Sequence, residues 1–226
     1  MDGFAHIAID GPAGSGKTTV AHALARRLGV LYLDTGAMYR AVALLSLRAD
    51  VDPHDEAAVL SLARERPIRV VVDESSPLGF RVFAGDHEFG SELYGNDVSR
   101  VVSLVAAYAG VRDLMVERQR AIAAEGPVIM AGRDIGTVVL PTAALKIFLT
   151  ASVDERVERR LAELEARGTQ VSRPELRAEI EERDRLDETR AVAPLRPAAD
   201  ALEIDSSGAT VDEVVERIAE LARGIR

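Results

Sequence analysis

Gly11-Pro12-Ala13-Gly14-Ser15-Gly16-Lys17-Thr18 reads G-x-x-x-x-G-K-[ST] in full, and the residues around it decide the fold. Ahead of it, the apolar run His6 to Ile9 ends in Asp10-Gly11-Pro12, the pattern of a buried strand stopping at a turn. Behind it, Val20, Leu24 and Leu28 recur every fourth residue as one apolar helix face, and Gly29 supplies the C-terminal stop. Val30 to Leu33 then predicts a second strand. Strand, glycine-rich turn, helix and strand make a βαβ unit, which implies a parallel sheet with a right-handed crossover.

In that setting backbone N–H groups and a helix N-terminus aim at one anion, and the glycines let the backbone approach it without Cβ clashes. The expected phosphate cradle comprises Gly11, Pro12, Ala13, Gly14, Ser15, Gly16, Lys17, Thr18 and Thr19. Lys17 is expected to reach the β and γ phosphates of a nucleotide, and the Thr18 hydroxyl to ligate Mg²⁺. Such a cradle recognises phosphates and not the base, so it does not by itself separate kinases from GTPases or mechanical ATPases.

Further buried strands are predicted at Val128 to Met130, Leu145 to Leu149 and Ala201 to Ile204, which makes five in a parallel core. Thr210 and Glu213 form a capping-box pair ahead of a last helix with Val211, Val214, Val215, Ile218 and Leu221 on one face. Between Pro67 and Tyr94 the pattern changes. Ile68 to Val72, a turn at Ser75 to Gly79, and Phe80 to Phe83 followed by Gly85-Asp86 are antiparallel hairpin signals. Residues 151–190 are rich in Arg and Glu with few bulky apolar side chains, which suits a mobile helical lid. The fold class is therefore α/β: a P-loop NTPase-type five-stranded parallel sheet flanked by helices, with a small antiparallel β insert and a helical lid. One domain is expected, with its core at about 1–40, 105–150 and 191–226, an insert at about 41–104 and the lid at about 151–190.

Composition narrows the function classes. Of the 226 residues 47% are hydrophobic and the charges are dispersed, so a sizeable core is expected rather than disorder. No stretch is long and apolar enough to span a bilayer, and Met1 to Ala5 lacks the features of a signal peptide, so no membrane partner and a cytoplasmic location are expected. Cysteine is absent, which excludes thiol catalysis, and His6, His22, His54 and His87 have no ligand-like spacing. The net charge of −9 disfavours nucleic acid as a partner. Anionic small molecules must then be held by local clusters of arginine.

Those clusters follow the second strand and recur downstream. Leu33-Asp34-Thr35-Gly36-Ala37-Met38-Tyr39-Arg40 resembles the D-[ST]-G-A-x-Y-R signature of bacterial cytidylate kinases. Ser103-Leu104-Val105-Ala106-Ala107 with Val111-Arg112 is similar to the family's S-x-V-A-A…V-R, and Gly132 to Val139 to its G-R-D-[MI]-G-T-V-V. Arg183 to Leu195 ends in a family-like tail as well. The resemblance covers nearly the whole chain and includes the antiparallel insert. Tyr94, Leu186 and Ala131 depart from it, standing where the family usually has Arg, Arg and Asp.

The resemblance implies transfer of the γ-phosphoryl group of ATP to CMP or dCMP, with Mg²⁺ present. It places Thr35, Arg40, Ser103, Arg112, Arg133, Asp134, Arg183, Asp187 and Arg190 around the acceptor nucleotide. Lys17, Arg133, Arg183 and Arg190 are the expected catalytic cations, and Arg159, with Arg160, the expected lid contribution to ATP. Asp134 suits cytosine, since a carboxylate accepts from the N4 amino group and opposes the O4 acceptor of uracil. The rival is another small-substrate P-loop kinase, and a GTPase is disfavoured because no N-K-x-D segment occurs. The expected partners are small-molecule nucleotides, and a monomer is expected.

Overall fold

The computed structural model describes residues 6–73, 76, 79–166 and 168–224. Its first strand, β1 (Ile7–Asp10), is buried at every position and leads through the glycine-rich loop into α1 (Lys17–Leu28). Gly29 ends α1 in the left-handed conformation, φ 66°, and its N–H donates to the Ala25 carbonyl. Next come β2 (Leu31–Asp34), α2 (Thr35–Arg48) and α3 (Glu56–Glu65). The insert holds β3 (Ile68–Val72), β4 (Phe80–Ala84) and β5 (His87–Phe89), then a 3-10 turn at Ser91–Tyr94 and α4 (Asn96–Val105). The chain returns to the core through α5 (Ala109–Ala124), β6 (Val128–Gly132), a π-helical turn at Ile135–Val139 and β7 (Leu145–Thr150). It finishes with α6 (Val153–Ala166), α7 (Arg173–Thr189), β8 (Leu202–Asp205) and α8 (Val211–Arg223).

All five core strands are parallel, in the order β2-β6-β1-β7-β8. The register sets Asp10 level with Gly132 and Phe148, and Asp34 level with Ala131. The carboxyl ends of β1, β2 and β6 therefore release their loops side by side, at the edge where open parallel sheets bind ligands. The five predicted strands all form, within two residues of their expected ends, but β8, expected to be buried, is exposed at three of its four positions because it is the edge strand of the sheet. The expected capping box of the last helix forms too, with the Thr210 side chain accepting from the Glu213 N–H and Glu213 accepting from the Thr210 N–H at 2.8 Å. Val211, expected on that helix's buried face, is instead 40% exposed, because it sits at the first turn where α8 meets the cleft rather than the sheet.

The antiparallel insert pairs in the order β3-β4-β5. It is fastened to the core by Phe80, which is buried and lies 5.9 Å from the Tyr32 ring, itself 5.6 Å from His22 of α1. Of the turn expected at Ser75 to Gly79, Ser76 and Gly79 are described, with the Gly79 N–H donating to the Ser76 carbonyl at 2.9 Å. Ser75, Pro77 and Leu78 lie outside the described residues, as do Met1 to Ala5.

Helices α6 and α7 form a hairpin. Arg173 pairs with Glu158 at 2.5 Å and Arg177 with Asp154, so residue numbers rise on one helix as they fall on the other. Between them Val157, Leu164, Leu176 and Ile180 make an apolar cluster separate from the main core. Few core-type side chains are legible here in the sequence; four are enough, because a two-helix hairpin has one narrow shared face to cover.

Candidate active site

A cleft of about 650 Å³ opens at the carboxyl edge of the sheet. Its walls contain every site residue expected from the sequence except Gly11 and Pro12. Those two shape the loop from behind. Gly11 has φ 150°, and a Cβ there would stand 2.0 Å from the Leu149 carbonyl oxygen of β7, so only glycine lets the loop leave the sheet at this point. Pro12 contributes its carbonyl, which accepts from Lys17 Nζ at 2.6 Å.

Gly14 and Gly16 also take positive φ, 76° and 89°, and Gly16 caps α1 in the left-handed region. The start of α1, with its first N–H groups, thus borders the cleft, which Gly16, Lys17 and Thr18 line. Lys17 lies folded along the loop, its ammonium also 3.3 Å from Ser15 Oγ. Burial first, and then the neighbouring cations Arg133 and Arg183, hold its pKa well below the usual lysine range. An arriving phosphate reverses that balance by offering the opposite charge.

On the β2 side, Asp34 caps α2 by accepting from the Gly36 N–H at 2.9 Å. Burial raises its pKa, against the pull of Arg40, Lys17 and Arg133. The Thr35 hydroxyl donates to the Ala131 carbonyl at 2.9 Å, which leaves its lone pairs toward other donors. Arg40 donates to the Leu93 carbonyl at 3.3 Å and to Ser99 Oγ at 3.1 Å, and its guanidinium lies 5.3 Å from the centre of the Tyr94 ring. The tyrosine that departs from the family pattern therefore serves as a cation–π platform for Arg40.

Beyond β6 stand the residues that can read a base. Asp134 is 4% exposed, and its two oxygens face two guanidinium groups, Arg112 in direct contact and Arg190 at 3.9 Å. Arg112 is itself fixed by donation to the Ala106 carbonyl at 3.1 Å and lies 5.5 Å from the Tyr39 ring centre. Arg190 donates through Nε to the Ala193 carbonyl at 2.6 Å. Ala193 has φ 50°, a left-handed conformation that costs a non-glycine residue about 1 kcal/mol and aims this carbonyl at Arg190. Arg133 pairs with Asp187 at 2.7 Å, which holds Asp187 below the usual carboxylate range despite its burial.

Arg183 differs from these. Its Nε is buried without a hydrogen-bond partner, and burial together with Arg133 and Arg40 pushes its pKa down to about 10. Lys17, Arg40, Arg133 and Arg183 thus gather where their mutual repulsion asks for an anion.

Three contributors, Ser206, Arg156 and Asp10, go beyond the residues expected from the sequence. Arg159 is expected there, but its partner Ser206 is not: Arg159 donates to Ser206 Oγ at 3.0 Å and to its carbonyl at 2.7 Å, and Ser206 Oγ in turn bonds the Ser15 carbonyl at 3.1 Å. Arg156, 4% exposed, donates to the Ala13 carbonyl at 3.1 Å and pairs with Asp184 of α7 at 2.6 Å, tying the α6–α7 hairpin to the glycine-rich loop. Asp10 accepts from the Ile135 and Gly136 N–H groups at 2.8 and 2.7 Å. A signal existed for Ser206 alone, since it follows the last strand at the same sheet edge.

A family model described as Cytidylate kinase matches residues 7–224. The chain belongs to the cytidylate kinase family. A relative described as Cytidylate kinase from Pelotomaculum thermopropionicum is 52% identical over 96% of this chain and 96% of its own length. Another, from Geobacillus kaustophilus, is 52% identical over 95% of each chain. A solved structure of an uncharacterized protein from Eubacterium ventriosum aligns with a TM-score of 0.54 at 15% identity, over 98% of this chain and 99% of that one, a likeness of fold alone. Among the described residues no helix is long and apolar enough to cross a membrane.

Proposed function

We infer that this chain transfers the γ-phosphoryl group of ATP to CMP or dCMP, giving ADP and CDP or dCDP. One observation carries the reading: the cradle and the Arg112–Asp134–Arg190 cluster open into a single cleft, with Lys17, Arg40, Arg133 and Arg183 lining it as well. A phosphate donor and a pyrimidine monophosphate acceptor fit the two ends, and the cations lie where two anions must meet.

The acceptor phosphate is already a nucleophile near neutral pH, so no general base is needed, and what remains is positioning and charge stabilisation. The cradle from Gly11 to Thr19 holds the donor phosphates, and Arg159 with Ser206 borders the donor side. Arg40, Arg133 and Arg183 hold the acceptor phosphate, and Lys17, Arg133, Arg183 and Arg190 stabilise charge as the phosphoryl group moves. Asp134 accepts from the cytosine N4 amino group. Each carboxylate oxygen has two lone-pair sites, so the arginines leave it capacity for this bond. Thr35, Ser103 and Arg112 complete the base pocket, and Asp187 serves the ribose.

Mg²⁺ fits the donors present: Thr18 and Asp34 both line the cleft and offer hard oxygen ligands, a hydroxyl and a carboxylate. Bound there with the nucleotide, it would neutralise phosphate charge. Action as a monomer in the cytoplasm accompanies this reading, as does a place in pyrimidine nucleotide metabolism.

The alternative is a kinase that accepts UMP or other monophosphates equally. ADP release measured against CMP, dCMP, UMP, AMP and GMP separates the two, with CMP and dCMP expected to lead by at least tenfold. In the same assay Lys17→Ala should abolish transfer while calorimetry finds CMP affinity largely intact, because Lys17 serves the donor. Equal rates with UMP would overturn the cytosine reading, and near-normal turnover of folded Lys17→Ala would overturn the cradle's role.

A further inference from the structure

Asp10 is the last residue of β1, next to the first glycine of the phosphate loop, and it is 4% exposed. Among the described residues it makes no ion pair. Its two oxygens are used on two consecutive backbone amides, Oδ1 on Ile135 N–H at 2.8 Å and Oδ2 on Gly136 N–H at 2.7 Å. Those are the first N–H groups of the π-helical turn, which have no partner within the turn itself.

The residue placed to cap that turn is Asp134, which stands at its N-cap position. An aspartate there ordinarily turns its carboxylate back onto the first amides. Asp134 makes no such bond, and its carboxylate points instead at Arg112 and Arg190 in the cleft. Two aspartates have divided the work: one caps the turn from a neighbouring strand, and the other is left free for the base pocket. The spacing is tight, since a Cβ on Gly136 would come within 3.4 Å of Asp10 Oδ2 and 3.2 Å of the Lys146 side chain.

We propose that Asp10 is a positioning residue for pyrimidine selection, capping the Ile135–Val139 turn in place of Asp134 so that the Asp134 carboxylate is held out toward the base. The proposal rests on the assignment of Asp134 as the base reader. Asp10 touches neither nucleotide; it acts through the turn. Burial raises its carboxyl to about 6, with Asp134 adding to the rise and the two amides and Lys17 opposing it, so near neutral pH it is chiefly the carboxylate with both oxygens able to accept.

Asp10→Asn keeps the size but turns an NH₂ group toward one of the two amides. The capping bond lost there favours recruitment of Asp134 to the turn, and the ratio of kcat/KM for CMP over UMP should fall about tenfold. The control is a double-mutant cycle with Asp134→Asn. Asp134→Asn alone should lower the same ratio, and adding Asp10→Asn to it should change the ratio no further. Thermal unfolding of each variant records any general loss of stability separately. If Asp10→Asn lowers the melting temperature and leaves the ratio unchanged, Asp10 is structural only and the proposal fails while the base-reading role stands. The proposal fails in the same way if the two effects multiply independently. If Asp134→Asn leaves the ratio unchanged, the base-reading assignment falls and the positioning role falls with it. Should Asp10→Asn not fold, Asp10→Glu, with both acceptors on a longer stem, carries the same comparison.

Discussion

A carboxylate that must stay charged in a dry place sets its own pH dependence. The folded carboxyl of Asp10 lies at about 6, because burial outweighs the two amides that donate to it, whereas in the unfolded chain it returns to the ordinary value of 3.8. Between those two values the folded state binds more protons than the unfolded one, so this residue's contribution to stability falls as pH rises through the window and is recovered on acidification. Urea unfolding of the natural chain and of Asp10→Asn should therefore give a stability difference that moves in favour of the natural chain by about 1 kcal/mol between pH 7 and pH 5. A difference that shrinks on acidification would contradict the raised pKa. Nothing in the sequence announces this residue. Asp10-Gly11-Pro12 reads as a turn, and the partners at Ile135 and Gly136 are 125 and 126 positions away. Lys17 could be picked out because it sits in a motif with a chemical purpose, and Arg40, Asp134 and Arg190 because the segments around them resemble those of cytidylate kinases. Arg156 could not, since in Glu155-Arg156-Val157-Glu158-Arg159-Arg160 nothing separates an arginine buried under the phosphate loop from one in solvent.

Among the elements, α6 and α7 bring arginines to the cleft while sharing little with the main core. Arg156 anchors the start of α6 through the Ala13 carbonyl, and Asp184 extends that anchor to α7, but Arg183 reaches the cleft with its Nε unpaired and Arg190 is held chiefly by one carbonyl. One bound nucleotide supplies phosphate charge to one side only. With both present, Arg183 and Arg190 gain charge-assisted hydrogen bonds that can offset the entropy of ordering the hairpin. Amide hydrogen exchange across residues 157–189 should then slow markedly with a bisubstrate analogue and little with ATP or CMP alone. The first turn of α6, already tied to the loop, should change least. Replacing both Arg183 and Arg190 by Ala should remove the added protection and slow transfer more than it weakens CMP binding. Equal protection with and without the analogue would make the hairpin a rigid wall rather than a lid. The presence of these helices was legible from their Arg and Glu content, but the cluster of Val157, Leu164, Leu176 and Ile180 was not, because four apolar residues scattered among charges look like an ordinary solvated face.

At the scale of the whole molecule, the five strands were legible as short apolar runs bounded by turns, whereas their order β2-β6-β1-β7-β8 depends on pairings between segments far apart in the chain. The π-helical turn was equally hidden, since its amides are satisfied by a residue on another strand. The structure also divides stability unevenly. Leu24, fully buried, belongs to the cluster that runs through the sheet, α1, α2, α5 and α8, while Leu176, 2% exposed, belongs to the small cluster inside the α6–α7 hairpin. Truncating either to Ala removes similar apolar volume and by composition alone should cost the same, about 2–5 kcal/mol. The two clusters make the outcomes different. Leu24→Ala should lower the stability to global unfolding by that full amount, read as a lower urea midpoint, because Leu24 belongs to the cluster that joins the sheet to its helices and unfolds with them. Leu176→Ala should mainly raise the population of a form with the hairpin open and the sheet intact, a sub-global opening of the kind that cooperative local units permit. Its signature is fast exchange confined to residues 153–189, with β1, β6 and β7 protected as before and the global midpoint nearly unmoved. A midpoint lowered as much by Leu176→Ala as by Leu24→Ala would show that the hairpin and the sheet unfold as one unit, and the lid would then have no independent equilibrium for nucleotides to shift.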